Sequence, residues 1–278
     1  DRACMAVKLI FDRNGNKKGH SFMRAIMRSQ ATLTYGQVQA AIDGAPDAAT
    51  QPLMESVIKP LWSAYQTVAK ARDRRGPLSL DMPEYKIDLD KDGHVTGVRP
   101  AERFETMKLI EEFMIQANVA AAETLETHRT PLIYRVHDQP SQEKLDALTE
   151  FLQTMDMPFS KTGNVRSSDF NKILSRAQGS DYARLISEVV LRSQAQAIYS
   201  EENLGHFGLN LAKYAHFTSP IRRYADLIVH RALIRALKLG PDGLSDQNAV
   251  RLEEIAEHIS TTERRSMAAE REATDRYL

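Results

Sequence analysis

The first pattern in the chain is strand-like: an aliphatic run from Met5 to Asp12, the turn signal Asn14-Gly15, and a second run from His20 to Arg28 that predicts the returning strand of a hairpin. Leu33-Thr34-Tyr35-Gly36-Gln37 has the spacing of a capping box, with Thr34 as cap and Gln37 three residues on, opening a short helix that ends at Ile42 before Gly44. Apolar residues then return with helical period over Pro52–Arg74, placing Leu53, Val57, Leu61 and Tyr65 on one side. A second hairpin is predicted from Tyr85 to Val98 around Asp92-Gly93. Beyond it the periodicity predicts a long helix over Phe104–Thr127, a strand over Leu132–His137, and helices over Gln142–Met155 and Asp181–Ala197. Ser219 as cap and Pro220 at the first turn predict a helix from Pro220 to Leu239, stopped by Gly240-Pro241. A last helix runs from about Asp246 to the end. Helices dominate and strands come as hairpins, so the fold class is α+β, one helix-rich domain with antiparallel strands.

Composition narrows the class without choosing a function. The 278 residues are 42% hydrophobic and 27% charged, enough for a sizeable core. Thirty-seven basic residues balance thirty-seven acidic ones, so net charge gives no support to a nucleic-acid partner. Local charge gives a little: Lys70-Ala71-Arg72-Asp73-Arg74-Arg75 and Arg222-Arg223 are basic clusters, though such runs are usually solvated helix faces. The single Cys4 excludes an internal disulfide and a thiolate-rich metal site. No apolar run approaches the roughly 18 residues of a membrane helix, and a cytoplasmic location is expected.

Four residues stand out chemically. Arg222 and Arg223 fall in the predicted first turn of a helix, where the dipole disfavours cations. A helix N-terminus with a guanidinium pair is a natural grip for phosphate; the competing reading turns both arginines to water or to acids elsewhere. Glu111 shares a helical face with Met107, Met114 and Asn118, and a carboxylate and an amide there require partners. Glu270 follows Ile255, Ile259, Thr262 and Ser266 on an inward stripe that continues to Ala273 and Tyr277, which makes a core salt bridge the plain alternative. Asp88, Asp90, Asp92 and Gly93 mimic half an EF-hand loop, but Arg99 stands where the bidentate acid is required. The spacings of His137, His206, His216 and His230 match no standard zinc pattern, and these are expected to be structural or to line a binding surface.

The segment from Tyr199-Ser200-Glu201-Glu202-Asn203-Leu204 through Thr218-Ser219-Pro220-Ile221-Arg222-Arg223 to His230-Arg231 closely resembles the signature of the RNase II / RNase R family of 3′→5′ exoribonucleases. Leu33–Val38, Leu109–Ile115, Tyr134–Pro140 and Glu263–Arg271 match in the same order, so the resemblance covers nearly the whole chain. It implies a magnesium-dependent, processive hydrolase that threads single-stranded RNA and releases 5′-nucleoside monophosphates. Within it, Arg222 stabilises charge on the scissile phosphate and Glu270 supports catalysis near it. Tyr35 lies at the RNA 3′ end, Glu111 contacts ribose, and Arg223 binds RNA backbone or holds structure. The family's magnesium-binding pattern, Asp-x5-Asp-x-Asp-Asp, does not occur here. The resemblance places it upstream of residue 1, together with flanking OB-type RNA-binding domains. The expectation is therefore the C-terminal part of a catalytic RNB domain spanning 1–278, holding no metal ligands of its own. The alternative is a catalytically inactive RNA-binding protein of the same fold. Protein partners and oligomeric state are not legible.

Overall fold

The structure, a computed structural model, describes residues 1–80, 82, 85–159 and 165–276. Tyr277, the end of the stripe drawn through Glu270, lies outside the described residues. In chain order the elements are β1 (Arg2–Phe11), β2 (Lys17–Met27), α1 (Tyr35–Ile42), α2 (Lys59–Arg75), β3 (Tyr85–Leu89), β4 (Val95–Pro100), α3 (Glu105–Thr127) and β5 (Tyr134–Val136). There follow α4 (Gln142–Thr154), α5 (Ser167–Ala177), α6 (Ala183–Ser193), β6 (Ile198–Ser200), α7 (Tyr224–Ala236), α8 (Asp246–Ala249) and α9 (Leu252–Asp275). The strands form three two-stranded sheets, β1-β2, β3-β4 and β5-β6. The first two are antiparallel hairpins, so the α+β reading holds.

The chain divides into two compact units. The first comprises Asp1–Arg75, Arg103–Tyr134 and Tyr214–Leu252. Its axis is α3, which packs against α1, α2, α7 and β1. From Ala117 to Ala122 every residue of α3 is buried, the mark of a helix enclosed on all sides, and its run of alanines admits close neighbours. The Thr34–Gln37 capping box forms as predicted. Gly15 carries φ +77° in the β1–β2 turn, and a Cβ there would come within 2.2 Å of the Thr67 carbonyl oxygen, so only glycine fits.

Three sequence expectations fail, the first two for identifiable reasons. The stripe Leu53–Val57–Leu61–Tyr65 is not the buried one: Val57 and Leu61 are exposed, while Ile58, Tyr65 and Val68 are buried. Residues Met54–Ile58 form a π turn, in which Lys59 N–H donates to the Met54 carbonyl. That inserted residue moves the apolar line to the other side of the helix. The helix predicted at Pro220 starts instead at Tyr224, after a turn through residues 220–222. The final helix, expected to be continuous, is broken at Val250–Arg251 into α8 and α9.

The second unit comprises Gly76–Glu102, Arg135–Lys213 and Glu253–Leu278. Its core joins α4, α5 and α6 through Leu145, Leu148, Leu152, Phe170, Ile173, Ile186 and Val190. Helix α5 escaped the sequence reading, which left Ser167–Ala177 unassigned. The β3–β4 tip explains the false calcium motif: Asp90 Oδ1 accepts from the backbone N–H groups of Asp92 and His94, at 2.9 and 2.8 Å, as a turn residue does.

Two histidines organise the β5–β6 end of this unit. His137 Nδ1 accepts from Gly208 N–H at 2.9 Å and its Nε2 donates to the Ala195 carbonyl at 2.9 Å, which fixes a neutral tautomer. The His206 ring lies 5.1 Å from it. Burial, then the charges of His137 and Arg135, holds the His206 pKa at about 3, and burial also lowers His137. The unfolded chain binds these protons below about pH 6.5 and the folded chain refuses them, so stability should fall as pH drops through the window from about 6.5 toward 3. Urea midpoints at pH 7 and pH 5 measure this, above the range where carboxylates titrate; equal midpoints would refute it.

Candidate functional site

The segment Tyr214–Asp226 in the first unit carries the best-defined polar construction around a candidate residue. It is tied down at successive points. Asn118, buried on α3, donates from Nδ2 to the Tyr214 hydroxyl at 2.9 Å and accepts from Phe217 N–H at Oδ1 at 2.8 Å. A backbone N–H can only donate, so the amide orientation is settled by its partners. The Phe217 carbonyl lies 2.8 Å from His230 Nε2. The His230 ring stacks on Phe217 at 4.5 Å and 23°. Burial lowers the His230 pKa, so the ring is neutral and Nε2 is its donor.

The arginine pair comes next, and its two members separate. Arg223 Nε and Nη2 each donate at 2.8 Å to the Asp226 carboxylate, which is fully buried. Asp226 Oδ1 also accepts from Ser219 N–H at 2.7 Å. The Ser219 carbonyl in turn accepts from Arg222 N–H at 3.3 Å and Arg223 N–H at 3.0 Å. Arg222 is exposed, and among the described residues its guanidinium makes no hydrogen bond or ion pair. Ile221 beside it is fully exposed, at 101%. The dipole conflict expected from two arginines in a first turn does not arise. Arg222 precedes the helix, Arg223 is its N-cap residue, and the acid of the first turn is Asp226.

The other candidates distribute as follows. Tyr35 is the first residue of α1 and half exposed; its carbonyl accepts from Thr106 Oγ1 at 3.0 Å, which ties α1 to the start of α3. Glu111 is exposed, which corrects the inward placement expected for it. The buried acid is its neighbour Glu112, at 2%, beside Arg75 Nη1 at 3.4 Å and Arg72 Nε at 3.7 Å. The N-terminal half of α3 is covered on one side, at Thr106, Leu109 and Glu112, and Glu111 lies on the open side. Asn118, from the same expected face, is buried and finds the partners its amide requires. Burial raises the Tyr214 pKa, and the hydrogen bond from the Asn118 amide opposes that rise.

Thus α3 gathers three of the five candidates: Tyr35 is anchored at Thr106, Glu111 lies on α3 itself, and Arg222 is supported through Asn118. Thr106 and Asn118 are separated by about 18 Å along the helix axis. Glu270 belongs to the second unit and is exposed, against the expectation of an inward stripe. It lies eighteen residues after the buried Leu252, about five whole turns, so the face is the expected one. The helix has outrun its packing: burial ends at Ala256 and Ser260, and Glu263 forms the last tie, to Arg135 at 2.6 Å. No core salt bridge holds Glu270; among the described residues its carboxylate has no ion pair.

Sequence reasoning missed Asp226 and Glu112. For Asp226 the available signal was the Arg223-x-x-Asp226 spacing, masked by placing the helix start four residues early. Among the described residues no group of three or more His, Cys, Asp or Glu could hold a metal ion. No helix among them is long and apolar enough to cross a membrane.

Comparison with known proteins returns a profile described as the RNB domain over residues 1–239. Ribonuclease R of Aquifex aeolicus (strain VF5) is 37% identical over 281 residues, covering all of this chain and 39% of that protein. The chain therefore spans about two-fifths of the length of such a relative. Mycoplasma genitalium RNase R, solved in its apo form, is 28% identical with a TM-score of 0.89, covering 99% of this chain and 44% of that one. The same protein has been solved with ribose-methylated single-stranded RNA and with double-stranded RNA. Yeast Ssd1, a pseudonuclease, shares the fold at 19% identity and a TM-score of 0.66, over 93% of this chain and 32% of that one.

Proposed function

The chain belongs to the RNB-domain family, and from that premise we propose that it works as part of a cytoplasmic, hydrolytic 3′→5′ exoribonuclease that threads single-stranded RNA and releases 5′-nucleoside monophosphates processively. The observation that supports this best is the tethered segment that holds Arg222 exposed and unpaired. A guanidinium kept free of internal partners stays available to a phosphate, while its backbone is fixed by the turn beneath it. Tyr35 stacks on or hydrogen-bonds the terminal nucleotide, Glu111 contacts a ribose 2′-hydroxyl, and Glu270 supports the reacting phosphate. Arg223, whose fork is occupied by Asp226, supports the site instead of gripping RNA. The magnesium ligands are assigned to aspartates outside this chain on the family resemblance, whose Asp-x5-Asp-x-Asp-Asp pattern this sequence does not carry.

Digestion of a 5′-labelled single-stranded RNA, with magnesium and then with EDTA, tests the reading. A longer polypeptide carrying the aspartates should shorten the RNA from its 3′ end and release monophosphates, while the 278 residues alone should not. Magnesium-dependent hydrolysis by these residues alone would sink the assignment of the metal site. The alternative of an RNA binder without catalysis has one observation in its favour, the fold shared with a pseudonuclease. RNA bound but never cut by the longer polypeptide would establish it.

Replacing Glu111 with Ala should narrow the preference for RNA over DNA by about 10- to 100-fold, the value of one hydrogen bond to a charged group. Paired affinity measurements on RNA and DNA of one sequence check this; an unchanged preference removes Glu111 from the ribose contact.

A further inference from the structure

Asp226 is more elaborately used than a helix cap requires. Its carboxylate is fully buried and accepts three hydrogen bonds, two from the Arg223 fork and one from Ser219 N–H. The Ser219 carbonyl accepts from the backbone of both Arg222 and Arg223. These contacts close a ring, from Asp226 through Ser219 to Arg223 and back to Asp226. The Arg222 backbone is held inside that ring and its side chain stays outside. Arg223 Nη2 also reaches Thr218 Oγ1 at 3.5 Å, which ties the residue before the ring to the same guanidinium.

A buried pair of this kind is poor evidence for stability, because desolvation of both charges offsets most of their attraction. What it supplies is a single geometry. A bidentate fork admits one orientation of guanidinium against carboxylate, and the added backbone bond from Ser219 fixes both against the turn. The residues left without internal partners by this construction are Ile221 and Arg222, both exposed.

We propose that Asp226, acting through Ser219 and Arg223, is a positioning residue for Arg222: it holds the turn so that the Arg222 guanidinium meets a substrate phosphate without rearrangement. This rests on the assignment of Arg222 to the phosphate. It predicts that the effect of Asp226 on rate runs entirely through Arg222, whereas a residue that only stabilises α7 would act regardless of what occupies position 222.

The test is a double-mutant cycle in the longer, active polypeptide with magnesium, using Asp226→Asn and Arg222→Ala. Single-turnover cleavage gives the rate, and RNA affinity is measured in EDTA. Asp226→Asn should slow cleavage by about 10- to 100-fold with Arg222 present, the scale of a misplaced catalytic group, and leave RNA affinity within about two-fold. In the Arg222→Ala background the same change should alter the residual rate by less than about two-fold. Equal slowing in both backgrounds, or a wild-type rate for Asp226→Asn, overturns the positioning role and leaves the phosphate assignment standing. A wild-type rate for Arg222→Ala overturns the phosphate assignment, and the positioning role falls with it. Arg223→Lys covers the case in which Asp226→Asn fails to fold. It keeps a cation beside the carboxylate but loses the fork, and it should show the same coupling at smaller size.

Discussion

Replacing Arg222 with Ala is expected to lower the single-turnover rate of RNA cleavage by about 10²–10³-fold while changing RNA affinity by less than about three-fold. The asymmetry follows from what the residue is doing before substrate arrives. Its guanidinium makes no hydrogen bond or ion pair among the described residues, so its removal breaks no side-chain contact in the fold. The tethers beneath it run through Asn118, His230 and Asp226, and none of them uses the Arg222 side chain. In the bound state one cation among many backbone contacts contributes little to affinity. In the transition state it faces charge concentrated on nonbridging oxygens, and its interaction strengthens there alone. Arg222→Lys should fall between the two, because an ammonium keeps the charge but cannot present a planar fork. Equal losses of rate and affinity would reduce Arg222 to a binding role.

How far the sequence could be read depends on the range of the interaction involved. The capping box at Thr34–Gln37 and the Asp92-Gly93 hairpin are local, and both form where their spacing places them. Ser219-Pro220 carries an equally local helix signal and misleads. The buried Asp226 carboxylate, seven residues away, captures Ser219 N–H, and the chain turns once more before α7 begins. The registers of α2 and α3 were lost for different reasons. A π turn shifts one apolar line, and partial cover of the other helix leaves Glu111 in the open and draws Glu112 inward. Neither is visible in a 3.6-residue period. Asn118 shows the opposite case. A polar side chain on an apolar face signals a required partner, and two partners are found, although the sequence could not say they would be Tyr214 and Phe217. The exposure of Glu270 could not be anticipated, because periodicity gives the face of a helix and not the length over which that face is covered.

The basic run from Lys70 to Arg75 offers the second large effect. Sequence alone made it a candidate surface for RNA, yet Arg72 and Arg75 lie beside Glu112. The geometry is loose. Arg75 Nη1 stands 3.4 Å from Oε1, and Arg72 Nε stands 3.7 Å from an Oε2 that has no hydrogen bond. Gln116 Nε2, at 2.9 Å, makes the shortest contact to the carboxylate. Such a group recovers little of its desolvation cost, so the two ways of breaking it should differ. Arg75→Ala leaves Glu112 ionised and buried with one distant cation, and should destabilise the protein by about 3 kcal/mol. Glu112→Met removes the buried charge and fills its space. The side chains of Arg75 and Arg72 keep 16% and 32% of their exposure and can turn to water. That substitution should cost less than about 1 kcal/mol. Urea unfolding of the two variants decides the order. If Glu112→Met proves the more damaging, the carboxylate makes its contribution through geometry, holding α2 against α3 in a way an apolar side chain of similar volume does not reproduce.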